Sequence, residues 1–72
     1  MPILFAPKGE KVKIVAISAG DDVKKRLTDM GLGIGSTVTL LSSAGGNIVV
    51  DVLGVRVAIN RDIAMKIRVA VA

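Results

Sequence analysis

The chain contains neither cysteine nor histidine. Without cysteine there is no disulfide framework to staple a small fold and no thiolate to act as a nucleophile. The loss of histidine as well removes the two side chains that most often hold zinc or iron(II). What remains is a scatter of carboxylates at Glu10, Asp21, Asp22, Asp29, Asp51 and Asp62. These are hard oxygen donors, and no tight transition-metal site or resident cofactor is expected from them. Neither a Ser/His/Asp nor a Cys/His set can be assembled, and no side-chain type present titrates naturally near neutral pH. An enzyme is not expected, and no catalytic residue is assigned.

Phe5 is the only aromatic residue. Single-stranded nucleic acids are held on stacked aromatic platforms, and proline-rich peptides lie in aromatic-lined grooves; one phenylalanine builds neither. The charge points the other way. Lys and Arg number 10 against 6 Asp and Glu, a net +4 with a pI near 10.0, which invites an anionic partner. With no RNA-recognition or zinc-finger signature beside it, nucleic acid is not the expected partner. No run reaches the ~20 apolar residues of a membrane-spanning helix, since the longest are broken at Asp51, Gly54 and Arg56. The start, Met1 to Pro7, is too short and its head too uncharged for a secretory signal. A cytoplasmic protein of one domain is expected, 72 residues long. At ~0.05–0.15 kcal/mol per residue its stability would be roughly 4–11 kcal/mol.

What the chain does have is a well-marked stretch from Asp21 to Val38, DDVKKRLTDMGLGIGSTV. Val23, Leu27 and Met30 fall at i, i+4 and i+7, one apolar stripe on a helix of about a turn and a half. Asp21 or Asp22 is placed to cap the first turn, where free N–H groups and the helix dipole favour a carboxylate. Gly31 is expected in the left-handed conformation that ends a helix, with Leu32 reaching back to Leu27 as in a Schellman ending. Gly33 and Gly35 keep the chain turning until Thr37 begins a strand. Upstream, Pro2 and Pro7 favour an extended lead-in, with a turn at Lys8-Gly9. Ile3, Leu4 and Phe5 either tuck under a sheet or stand out as an apolar hook. Lys11 to Ala19 alternates as a half-buried strand. Ile14 and Ile17, three apart, can both face inward only across a bulge near Val15-Ala16.

Thr37 to Ser42 reads as the second strand. Ser43-Ala44-Gly45-Gly46-Asn47 is a loop by composition; it lacks the lysine and the following helix of a phosphate-binding loop, so a hairpin turn is the simpler reading. Ile48 to Leu53 and Val55 to Ile59 make the third and fourth strands about Gly54. Ile48, Val50 and Val52 share one face, Val57 and Ile59 match them, and Arg56 points away. Asn60 is the expected N-cap of a brief turn from Arg61 to Met65, of 3₁₀ type at that length. Lys66 to Val71 closes the chain, with Ile67, Val69 and Val71 on its inner face. Five short strands and one helix in 72 residues suggest a mainly β fold, a small barrel curled so that few edges stay open.

Arg26-Leu27 and Met30-Gly31-Leu32, followed by Gly35 and Val38, carry a resemblance to the signature of the ferrous iron transport protein A (FeoA) family. It continues through Val50 to Val52, Gly54, Val57-Ala58-Ile59, Arg61, Ala64, Lys66-Ile67 and Val69, so that it covers nearly the whole chain from Gly9. Ile34 stands where that family commonly has proline, which would have fixed φ in the turn. The resemblance implies an SH3-like β-barrel of about five strands with a short helix between the first two. It also implies an accessory role in bacterial ferrous iron uptake, beside a GTPase-coupled membrane transporter whose cytosolic domain is the expected partner. Arg26, Leu27, Met30, Gly31, Gly35, Gly54, Ala64 and Ile67 are then the family's structural positions.

Two features carry the search for a binding surface. Lys24-Lys25-Arg26 is the one dense basic run. Lys24 and Lys25 lie beside the apolar stripe and face solvent, where they are either a solvated face or a docking patch for an acidic surface. Arg26 has Asp29 or Asp62 as candidate ion-pair partners and could tie the helix to the barrel. Ile34 and Leu53 are the apolar residues expected to be exposed, and with Lys24 and Lys25 they form the candidate partner-binding set. Asp21-Asp22 could act as an acid and base pair, but a helix cap is the simpler reading. Two other functional classes remain open on the sequence: a stand-alone relative of the SH3-like C-terminal domain of metal-dependent transcription regulators, and a small basic RNA-associated barrel. Self-association is also left open.

Overall fold

The computed structural model describes residues 1–72. After a 3₁₀ turn at Ile3–Phe5 come β1 (Lys11–Ile17), α1 (Asp21–Asp29), β2 (Thr37–Ala44), β3 (Asn47–Val52), β4 (Val55–Asn60), α2 (Arg61–Lys66) and β5 (Ile67–Val71). The strands form one antiparallel sheet in the order β4-β3-β2-β1-β5. The fold is mainly β, as expected, with α1 between the first two strands.

Local chemistry accounts for most boundaries. In β1 the pairing with β5 shifts register between Ile14 and Ala16. Val15 is the extra residue of that bulge, and by absorbing it the strand turns Val12, Ile14 and Ile17 all inward. The strand stops at Ile17, two residues short of the expected Ala19. A second shift, between Leu40 and Ser42, makes Leu41 the extra residue in β2 and leaves it exposed. β2 runs on to Ala44, so the expected five-residue loop tightens to Gly45-Gly46, with φ of +62° and +88°. Those angles are those of a type I′ turn, whose twist matches the strands it joins.

α1 is longer than expected, nine residues. Its N-cap is Gly20, with no side-chain bond, and Asp21 and Asp22 lie inside the first turn. They act on the helix dipole and not as caps. α2 is an α-helix, where a 3₁₀ turn was expected. Asn60 Oδ1 caps it by accepting from the Ile63 N–H at 2.9 Å.

The core is a single cluster of 16 apolar residues, with no buried polar side chain. Ile48, Val50, Val52, Ile59, Ile67 and Val69 enter it from the sheet as the alternation required, and Leu27 and Leu32 from α1 and its ending. Val71, expected inside, is exposed at the end of β5. The N-terminal segment divides: Ile3 is fully buried, Leu4 packs on the core and Phe5 is exposed. Curling does not close the sheet by hydrogen bonds, because β4 and β5 are its two ends. α2 carries the chain between them and packs on the 3₁₀ turn.

Candidate functional site

The end of α1 is fixed by backbone bonds. The Leu32 N–H donates to the Leu27 carbonyl at 2.7 Å and the Gly31 N–H to Thr28 at 3.0 Å. This is the paired pattern of a Schellman ending, with Gly31 at φ +87°. A Cβ placed on Gly31 would stand 2.9 Å from Val52 Cγ1. So the C-terminal end of α1 lies directly on the last residue of β3.

One residue further the hairpin turns through Leu53-Gly54, at φ of +53° and +84°. This is again a type I′ geometry, which favours asparagine or aspartate before glycine. Leucine holds that place here, the one non-glycine residue at positive φ. Asp51 Oδ1 accepts from the Gly54 N–H at 2.9 Å and braces the turn. The leucine side chain is 94% exposed, and Val55 beyond the turn is 62% exposed. Across from them, Met30 precedes Gly31 and is 43% exposed. Ile34, in the loop that follows, is 65% exposed. Apolar side chains are therefore displayed where α1 ends and where β3 turns into β4.

Beside this end a groove of about 270 Å³ opens between α1 and β4. Val23, Arg26, Leu27 and Met30 form its helical wall, and Ala58, Ile59 and Asn60 with Ile63 the opposite one. Arg26 is its only charged residue. Arg26 is exposed and takes part in none of the side-chain hydrogen bonds, which involve Thr28, Asp51 and Asn60. Neither candidate tie, to Asp29 or to Asp62, is made.

The remaining candidate residues fall as follows. Leu27, Ala64 and Ile67 are buried in the core. Met30 is a correction: the stripe places it on the helix face, but that face ends at the groove and not in the core. Lys25 is exposed, whereas Lys24 is half-buried and does not simply face solvent. Gly35 and Gly54 have positive φ with open space around them, so backbone conformation alone selects glycine there. Val55, Ala58, Asn60 and Ile63 were not singled out from the sequence as surface features. Ala58, Asn60 and Ile63 meet the residues of α1 only in the folded chain, where they line one groove. Nowhere do three carboxylates gather as a metal site would require.

Comparison with known proteins gives a consistent picture. The family described as FeoA domain matches residues 1–71. A Methanocaldococcus jannaschii protein named for Fe(2+) transport protein A is 38% identical over 68 residues, spanning 94% of this chain and 83% of that protein. The crystal structure of an iron uptake regulatory protein (FeoA) superposes with a TM-score of 0.86 at 34% identity, over 97% of this chain and 93% of that one. A manganese-dependent transcriptional repressor superposes with a TM-score of 0.84 over the whole chain and 41% of its own length. At 19% identity that last likeness is one of fold alone.

Proposed function

The chain belongs to the FeoA family of small accessory proteins of ferrous iron transport, and we propose that it works by contact, docking on the cytosolic domain of the GTPase-coupled membrane iron transporter. No helix is long and apolar enough to cross a membrane, and on this reading the chain sits at the cytoplasmic face, held there by its partner.

Leu53 is the observation that supports the reading. A non-glycine residue in the left-handed region costs ~1–2 kcal/mol, and at 94% exposure this leucine recovers nothing from the core. Burying a leucine side chain against a partner contributes ~1.5–3 kcal/mol. The residue is thus a poor choice for the free protein and a good one for a complex. Strain of this kind persists where it serves function. An apolar centre with charges at its rim is the anatomy of a protein interface. Ile34 and Leu53 supply the centre, and Lys24 and Lys25 supply charge that governs encounter more than hold.

The test is capture of the transporter's cytosolic domain by the immobilised chain, with bulk RNA as a parallel probe. Ile34→Asp or Leu53→Asp should abolish capture without destabilising the fold, the melting midpoint staying nearly unchanged for Ile34→Asp and no lower for Leu53→Asp, since aspartate suits that turn position. Lys24→Ala with Lys25→Ala should slow association, by no more than ~10-fold, with little effect on release. An RNA contact would behave differently, falling steeply with salt and depending on the lysines alone. Tight RNA binding governed by that pair, with no transporter domain captured, would refute the docking reading.

A further inference from the structure

We infer that the outer edge of β4 receives an extended, acidic segment of the partner protein as an added strand. The inference rests on the docking reading and specifies the shape and charge of what docks.

The sheet has two ends, and only one is covered. On β5, the terminal amine of Met1 donates to the Val69 carbonyl, the Val69 N–H returns a bond to Met1, and Pro2 bridges to Arg68. β4 has no neighbour beyond β3. Because the two-residue turn makes Val52 and Val55 a hydrogen-bonded pair, the antiparallel alternation assigns Val57 and Ile59 to β3 as well. Arg56 and Ala58 therefore aim their N–H and C=O groups outward. Both residues are exposed, and neither backbone makes a turn or loop bond elsewhere.

Free edges are normally blunted by proline, lysine or a bulge. β4 has no proline and no lysine, and its register with β3 is unbroken over six pairs. The strand instead borders the groove shared with α1. An added strand points alternate side chains to one face, so one of them would enter the 270 Å³ space between Leu27, Met30 and Ile59. Charge selects the rest. Arg26 is the only charged residue lining that space and Arg56 the only charged residue of the edge. A second copy would bring another Arg56 and a further +4 to the same place. A segment alternating carboxylates with aliphatic residues satisfies the backbone, the groove and the arginines together. Pairing to a sheet edge with side-chain pockets for specificity is an established mode of peptide recognition.

The probe is a heptapeptide alternating aspartate and leucine, titrated into the ¹⁵N-labelled full chain, with a lysine–leucine peptide as control. Shifts confined to β4 and α1 are expected from the acidic peptide alone, with amide exchange at Arg56 and Ala58 slowed at least ~10-fold. Arg26→Glu should remove the response. Ala58→Pro deletes an N–H that the fold does not use, a change edge strands tolerate, and should abolish both peptide binding and capture of the transporter domain. Should that variant fail to fold, Arg56→Pro carries the same test. Equal response to both peptides, or shifts elsewhere, would overturn the inference. So would a dimer of the chain that Ala58→Pro disperses, since the edge would then belong to a second copy. Capture at wild-type strength by folded Ala58→Pro removes this inference and leaves the docking reading standing; a peptide response without any capture does the reverse.

Discussion

Gly31 meets two demands at once. Its φ of +87° is one that only glycine adopts without cost, and the 2.9 Å approach of Val52 Cγ1 leaves no room for a Cβ. Gly31→Val combines positive-φ strain with a clash against a buried residue, and should lower stability by at least ~1–3 kcal/mol. In a domain of this size that lowers the melting midpoint by ~4–8 °C per kcal/mol. Gly35 has the same kind of φ, +92°, but open space. Gly35→Ala should therefore cost only the backbone term, ~1–2 kcal/mol, so the two melts read together separate conformation from contact. Gly31 was legible in the sequence because an apolar stripe ends there and Leu32 follows to close the motif. The conformation of Leu53 was not. Gly54 announces a turn, yet no property of leucine signals a left-handed residue, and only the two-residue span between Val52 and Val55 imposes it.

Spacing revealed an element wherever burial had a period to print. Ile14 and Ile17 stand three apart in a strand, which required the bulge that the β1–β5 register shows. The bulge at Leu41 left no such mark, since Leu41 is exposed and the small polar residues after it have no inward and outward members to compare. Brevity alone predicts a 3₁₀ turn for α2, but a side-chain cap and a buried Ala64 beside half-buried Ile63 favour the α form over six residues. Asn60 is the residue on which that helix depends. Asn60→Ala removes the acceptor at 2.9 Å from the Ile63 N–H and should cost ~1 kcal/mol. The loss should be visible as a lower denaturant midpoint with an unchanged slope.

At the scale of the molecule, composition could limit the chemistry but could not locate the surface. With no cysteine or histidine and no cluster of three carboxylates, iron(II) or zinc titrated into the isolated chain should show no submicromolar stoichiometric site by calorimetry. The groove is different in kind. Its walls, Val23 to Met30 and Ala58 to Ile63, are some thirty residues apart in sequence and face each other only in the folded chain, so no local pattern could reveal it. The arrangement of exposed leucine, free strand edge and an apolar groove holding one arginine supports function by docking, and one substitution reads this most directly. Leu53→Gly relieves the left-handed strain and deletes the exposed side chain. The melting midpoint should rise by a few degrees. Capture of the transporter's cytosolic domain should weaken at least ~30-fold, the ~2 kcal/mol of an interface hot spot. Capture at wild-type strength by the stabilised variant would mean that Leu53 is not the anchor, and would contradict the central claim.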